Sequence, residues 1–427
     1  MKGWTALVLR PSSLAVTALI VTGGLTGASP AICPLPSFSV LRPSSSILRP
    51  SSPVLRPLSP VPRGAQSRED LDAAIDRLGV FDDDERSAAA AAVRRAPGTV
   101  TLPALIDAAA GHADGFVRYR ALVLLSGYDD PRVPDQFEQA IGDVNDQLRT
   151  VAYAYFERHP EPRLIPVFLK ALDTEVGEFA RPALTRALAA QGRDPKVQRV
   201  LVAELARGPE TSRASLLEAL GDYGITIAVA PVSKVVEGAG PFREEAALAL
   251  GKIGDSKSVP LLEAVQRAAG PEMQPAVAAA LCLLGTECVA NRALLVRTLA
   301  EADRTPGLPD RLRTSALGLS AMAASGDVEA GRALLEVGVT ATDPTRAPVA
   351  QAVAHLALTR PMALVALVDE RQDRDTAMQL LREGLNAIDD DFRKEQLFVT
   401  LRTAYHAEGE GSARRPLLQS VINLLEY

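Results

Sequence analysis

A chain of 427 residues with 46 Lys and Arg against 52 Asp and Glu carries a net charge of −6, and 47% of it is hydrophobic but only 4% aromatic. That length suffices for two or three compact domains, or for one repeat array in which each unit packs only on its neighbours. Three cysteines, Cys33, Cys282 and Cys288, exclude a disulfide framework. Apportioned along the chain, the charge also argues against nucleic acid as a partner. Seven of the basic residues and no acid lie in residues 1–68, leaving 39 basic against 52 acidic residues, a net of −13, in the remainder.

In chain order, Lys2 and Arg10 precede an apolar stretch from Leu14 to Leu25, and small residues follow through Gly27-Ala28-Ser29-Pro30-Ala31. This pattern reads as a signal peptide over 1–31, too short and too glycine-rich for a transmembrane helix. It predicts an exported, periplasmic or extracellular protein with no integral membrane span in the mature chain. The residues before Cys33 do not fit a lipidation motif. Residues 32–68 are rich in Pro, Ser and Arg, with Leu-Arg-Pro-Ser-Ser at 41–45 and 48–52. Such composition cannot build a core and reads as a disordered segment. The same pentapeptide at 9–13 supports a second reading, in which 1–68 precedes the true start and the protein is cytoplasmic.

From about residue 69 a period of roughly 32 residues takes over. Its origins are Arg86, Arg118, Arg149, Arg181, Arg213, Arg243, Gln274, Arg313 and Arg346. The third, sixth and seventh residues after each origin are apolar in every unit except at Ser320, which places them on one helical face. The sixth is most often Ala, as at Ala219, Ala249 and Ala280, and lets a neighbouring helix approach closely. Gly192, Gly224, Gly254 and Gly285 recur at offset eleven, where a glycine ends the first helix. Pro103, Pro134, Pro166, Pro231 and Pro260 then open a second helix, in whose first turn a missing N–H costs no bond. The pattern predicts an all-α fold, an α-solenoid of about nine to ten antiparallel helix pairs over 69–407, with a loop and capping helix at 408–427. The second helices are expected to line the concave side.

The run Arg243-Glu244-Glu245-Ala246-Ala247-Leu248-Ala249-Leu250-Gly251-Lys252-Ile253-Gly254-Asp255, continuing to Val259-Pro260-Leu261-Leu262, resembles a HEAT repeat of the short bacterial variety also found in phycobilisome-lyase-like proteins. The resemblance spans about Asp70 to Ala407 and implies an armadillo/HEAT-type superhelix. It also implies that the origin arginines pair with a neighbouring unit's Asp or with loop carbonyls. On the functional side it implies one enzymatic alternative, a lyase-like enzyme or enzyme subunit that attaches a chromophore.

The residues themselves carry no catalytic, metal-binding or cofactor-binding constellation. Gly254-Asp255-Ser256 falls where the repeat needs a turn rather than at a nucleophile elbow. The acidic runs at 82–85 and 389–391 lack the alternation of a calcium loop and suit helix starts. His112, His159, His355 and His406 lie in different units. Tyr119 and Tyr153, at offsets one and four and off the apolar stripe, are the candidate partner-binding anchors. The reading that follows is a non-catalytic scaffold, not an enzyme, that uses no cofactor and holds a protein or peptide partner.

Overall fold

The computed structural model describes residues 67–301 and 308–425. The expected signal at 1–31, nearly all of the expected segment 32–68, and Cys33 lie outside the described residues. Among the described residues the elements are helical: α1 Arg68–Asp76, α2 Asp83–Arg95, α3 Gly98–Gly111, α4 Gly115–Leu125, α5 Val133–Ala140, α6 Asp146–Arg158, α7 Ile165–Leu172, α8 Ala180–Ala190, α9 Pro195–Arg207, α10 Arg213–Asp222, α11 Val229–Glu237, α12 Arg243–Ile253, α13 Val259–Ala268, α14 Gln274–Leu283, α15 Cys288–Leu299, α16 Leu308–Ser325, α17 Val328–Thr340, α18 Arg346–Thr359, α19 Pro361–Asp369, α20 Arg374–Asn386, α21 Asp391–Ala407 and α22 Arg415–Asn423. The even-numbered helices from α2 to α18 carry the repeat origins, and each is followed by a second helix. The fold is an all-α solenoid.

Local chemistry sets the ends of these helices. Asp82 caps α2 by accepting from the Glu85 N–H, and Asp390 caps α21 by accepting from the Arg393 N–H, so both acidic runs serve helix starts. Gly254 sits at φ 81°, a left-handed conformation that spares the helix a strained residue, and Gly224 and Gly285 share it. Gly192 does not. Its reason is space, since an added Cβ would run into the Ile225 side chain. Pro134, Pro166, Pro231 and Pro260 all lie in the first turn of a second helix. Pro103 differs, because α3 starts at Gly98 and takes the proline inside.

The origin arginines form a ladder. Arg149 donates to both carboxylate oxygens of Glu175, in the loop that ends its own unit, at 2.7 and 2.8 Å, and to the Asp143 carbonyl of the preceding loop at 2.9 Å. Arg181 repeats this with Glu204 at 2.6 Å and the Leu172 and Glu175 carbonyls. Arg346 repeats it with Glu383 at 2.7 Å. Each planar guanidinium thus ties the loop before its helix to a carboxylate farther along the chain, a task suited to its fixed fork of donors.

The first helices, not the second, are the inner layer. In α14 every residue from Pro275 to Cys282 is buried, whereas α13 buries only Leu262. Consecutive first helices pack directly on one another at small residues. A Cβ added to Gly221 would lie 3.1 Å from the Ala249 Cα, one at Gly251 would lie 2.5 Å from the Ala280 Cα, and one at Gly318 would lie 2.8 Å from the Ala279 Cβ. The expectation that second helices line the concave side is therefore corrected. Ala and Gly on the first helices allow those axes to converge, while bulkier residues keep the second helices apart. Glu245, off the apolar stripe, nonetheless lies on the inner side with a buried carboxylate oxygen.

The array also closes on itself. α20 stacks on α18, but α21 leaves the stack, packs on α18 and α19, and reaches α4. Arg94 of α2 donates to Glu395 of α21, with its Nε 3.1 Å away, and lies over the Phe398 ring at 4.8 Å. Arg120 pairs with Asp391, and Gln396 donates to the Ser126 hydroxyl at 2.8 Å. Phe392 of α21 is buried in the amino-terminal core, while Leu397, Phe398 and Leu401 of the same helix join the carboxy-terminal one. α21 is a strut across the inner side.

The register has a direct test. Ala249 is 1% exposed and Ala264, on α13, is exposed. Ala249→Arg is expected to destabilise the array by about 3 kcal/mol or more through overpacking and charge burial. Ala264→Arg, the same chemical change on the outer layer, is expected to cost about 0.5 kcal/mol or less. Denaturant unfolding of the two variants reads the difference.

Candidate functional site: a charged cluster enclosed by the first helices and α21

The inner side of the array carries a connected set of charges. Arg186 of α8 bonds Glu157 of α6 at 2.8 Å and Asp222 of α10 at 2.9 Å. Lys252 of α12 bonds the other Asp222 oxygen at 2.7 Å. The Tyr223 hydroxyl donates to Glu157 at 2.8 Å, and the Arg186 guanidinium lies over the Tyr223 ring. The repeat itself builds this row. Arg186 and Glu218 stand at offset five, and Arg158, Asp222, Lys252 and His355 at offset nine, so successive first helices present them side by side.

From the opposite side, α18 brings His355 and α21 brings Arg393 within electrostatic reach of this row. Burial works against ionisation of Glu218, yet Lys252 and Arg186 outweigh it and hold the carboxyl below its usual range. Asp222 is held low by the same two cations against the same burial. Burial pushes the His355 imidazole below its ordinary value, with Glu218 partly opposing and Arg393 and Lys252 reinforcing.

The residues singled out from sequence lie elsewhere. Tyr153 is 1% exposed, meets Phe168 edge-on at 5.8 Å, and has its hydroxyl pushed up to about 12 by burial. Tyr119 is half-buried and donates to Asp391 across the closure at 3.1 Å. Neither is the exposed anchor expected of it. Offset four turns into the helix interface in α6, and the strut covers offset one in α4. Tyr155 stacks on Phe137 with ring centroids 3.8 Å apart, so the aromatic group is core. Cys282 and Cys288 are joined by a disulfide across the Gly285 turn. A cleft of about 520 Å³ at the loop edge, between Val176, Arg181, Glu204 and Arg207, is remote from the cluster's residues in the repeat. Among the described residues no group of three or more His, Cys, Asp or Glu is placed to hold a metal ion. No single described helix is long and apolar enough to cross a membrane; α18 and α19 pass that test only as a pair bent by 120°.

No family model matches this chain, and no curated protein matches it. Among solved structures, the complex of CpcE and CpcF of phycocyanin lyase from Nostoc sp. PCC7120 is similar at 19% identity and a TM-score of 0.37, over 61% of this chain and 97% of that one. Human deoxyhypusine hydroxylase in complex with glycerol is similar at 18% identity and a TM-score of 0.27, over 67% of this chain and 96% of that one. Both fit the HEAT-like reading of the fold. They also correct the expectation that this chain is not an enzyme. A lyase and a hydroxylase are among the solved structures it is similar to.

The imidazole offers a pH test. A histidine whose folded pKa is depressed binds fewer protons in the native state than in the unfolded one below the ordinary value of 6.5. Its contribution is complete above that pH and is lost as pH falls. Between pH 7.5 and 5 the wild type is expected to lose more stability than His355→Gln, measured as the difference between their unfolding free energies. Parallel curves would show that His355 is not held neutral.

Proposed function

We propose that this chain is a binding solenoid that grips a protein or peptide partner on the charged face between its first helices and α21. The carrying observation is the row from Glu157 through Arg186 and Asp222 to Lys252, which four successive inner helices supply in register. Ion pairs that stay partly open to solvent add little net stability, so a row of them along one face suits recognition better than folding. Orientation of the partner would come from complementary charge.

A second reading, an enzyme or enzyme subunit of the lyase-like kind, is favoured by His355 and Glu218. Burial moves the ionisation of His355, and Lys252 and Arg186 move that of Glu218 against burial. An absorption spectrum and an intact-mass measurement of the purified chain separate the two, since a covalent adduct belongs only to the second. We further infer export, supported by the signal-like residues 1–31 and by the Cys282–Cys288 disulfide, a bond that persists in oxidising compartments.

Affinity capture from the envelope fraction tests the main reading. Wild type and Ala264→Arg are expected to retain the same stoichiometric partner, and Lys252→Glu, which reverses charge inside the row, to lose it. Capture lost with Ala264→Arg but kept with Lys252→Glu would move the binding surface to the outer layer.

A further inference from the structure

Four loops, leading into α2, α4, α6 and α8, form a continuous edge. A Cβ added to Gly79 would lie 2.8 Å from Asp114 Oδ2, one at Gly115 would lie 3.3 Å from Asn145 Nδ2, and one at Gly177 would lie 3.4 Å from the Asp146 Cβ, so each loop touches the next. The origin arginines hold all four at the same point. Nη1 of Arg86, Arg118, Arg149 and Arg181 donates to the carbonyl six residues earlier, at 2.9, 3.4, 2.9 and 2.8 Å.

The residue after that carbonyl is apolar and open to solvent in every one of the four units. Phe81, Val144 and Val176 are 92, 95 and 91% exposed, and Ala113 is exposed as well. An apolar residue just before a helix cap ordinarily packs on the fourth residue of the helix. After the caps Asp82, Asp114 and Asn145 that fourth residue is the origin arginine, so the apolar side chain finds no such partner. In the next two units the position falls to Gly208 and Gly238. The row therefore stops at Val176, which lines the cleft of about 520 Å³ together with Glu178, Glu204 and Arg207.

The edge is also acidic. Residues 80–84, 112–115, 143–146 and 175–179 hold eight Asp and Glu and no Lys or Arg. Arg86, Arg118 and Arg149 take up Asp83, Asp143 and Glu175, whereas Asp84, Asp114, Asp146 and Glu178 have no ion pair among the described residues. A second copy of the chain is a poor occupant, because the same edge would set acid against acid. A segment carrying cations between apolar residues complements it. Packed helices stand about 9 Å apart, and an extended chain advances about 3.3 Å per residue, so an apolar residue at every third position keeps step with the row.

We propose that the loop edge of these four units docks an extended segment of a protein partner, with apolar residues at about every third position and Lys or Arg between them. This surface is separate from the enclosed face and adds a second point of recognition to the array.

Fluorescence anisotropy with the full chain tests it. The probes are a labelled peptide of four Leu-Lys-Ser repeats, an analogue with Ser for each Leu, and an analogue with Glu for each Lys. The wild type is expected to bind the first peptide and neither analogue. Val144→Ser combined with Val176→Ser is expected to weaken binding about tenfold without moving the thermal unfolding midpoint, since neither side chain is packed. Asp146→Asn combined with Glu178→Gln is expected to weaken it less and to reduce its dependence on salt. Val100→Ser, on α3, and Lys252→Glu, in the enclosed row, are expected to leave it unchanged. No saturable binding at millimolar peptide, equal binding of the serine analogue, or unchanged affinity in the paired valine variant would overturn the proposal. Binding lost with Lys252→Glu would place the peptide on the enclosed face and overturn it too. Wild-type dimerisation in sedimentation that the paired valine variant abolishes would make a second copy the occupant, again against the proposal. Partner capture by the enclosed face is read independently, so either surface can fail without the other.

Discussion

Close approach of the first helices is the constraint on which the rest of this molecule depends. Gly221 against Ala249, Gly251 against Ala280 and Gly318 against Ala279 leave no room for a larger residue. Helices that touch through such residues bring their axes together, while the second helices make fewer contacts with one another. The difference accumulates from unit to unit, so curvature follows from the volume of a few side chains. Arginines at the repeat origins then tie each loop to a carboxylate farther along the chain and keep the stack in phase.

Curvature of this kind brings the two ends near each other, and α21 uses that proximity. Its apolar residues divide between the two halves of the core, with Phe392 on one side and Phe398 and Leu401 on the other. Its polar residues reach Arg94, Arg120 and Ser126. Removing one member of such a pair leaves the other charge buried and uncompensated, which costs more than the pair contributes. Closure therefore defines an inside, and the charges at offsets five and nine become an enclosed face instead of a solvated ridge.

Much of this was legible in the sequence. The period, the apolar columns, the glycine at Gly254 and the arginine ladder all depend on local chemistry repeated at fixed spacing, which a sequence displays openly. What was not legible depends on the sum of many small angles. Which layer faces inward follows from accumulated curvature, so the concave side was placed on the wrong helices. α21 has no counterpart in the repeat, and its contacts with α2 and α4 join residues some 270 to 300 positions apart. Tyr119 and Tyr153 stood out for being aromatic, whereas packing decides exposure, and Tyr153 turned inward. The cluster did leave a signal, since Arg158, Asp222, Lys252 and His355 share offset nine. A column of charges beside an apolar stripe ordinarily marks a solvated face, and only closure makes it otherwise.

The enclosed face exists only if the array closes. Distance measurement by double electron–electron resonance, with spin labels introduced at the exposed positions Asp129 and Arg402 on either side of the seam, tests it most directly. The closed solenoid should give a single narrow population at short distance, broadened and lengthened when Glu395→Gln and Asp391→Asn remove the carboxylates of the strut. A broad, long distribution in the otherwise unaltered chain would mean that the ends do not meet, and that the enclosed face described here is not formed in solution.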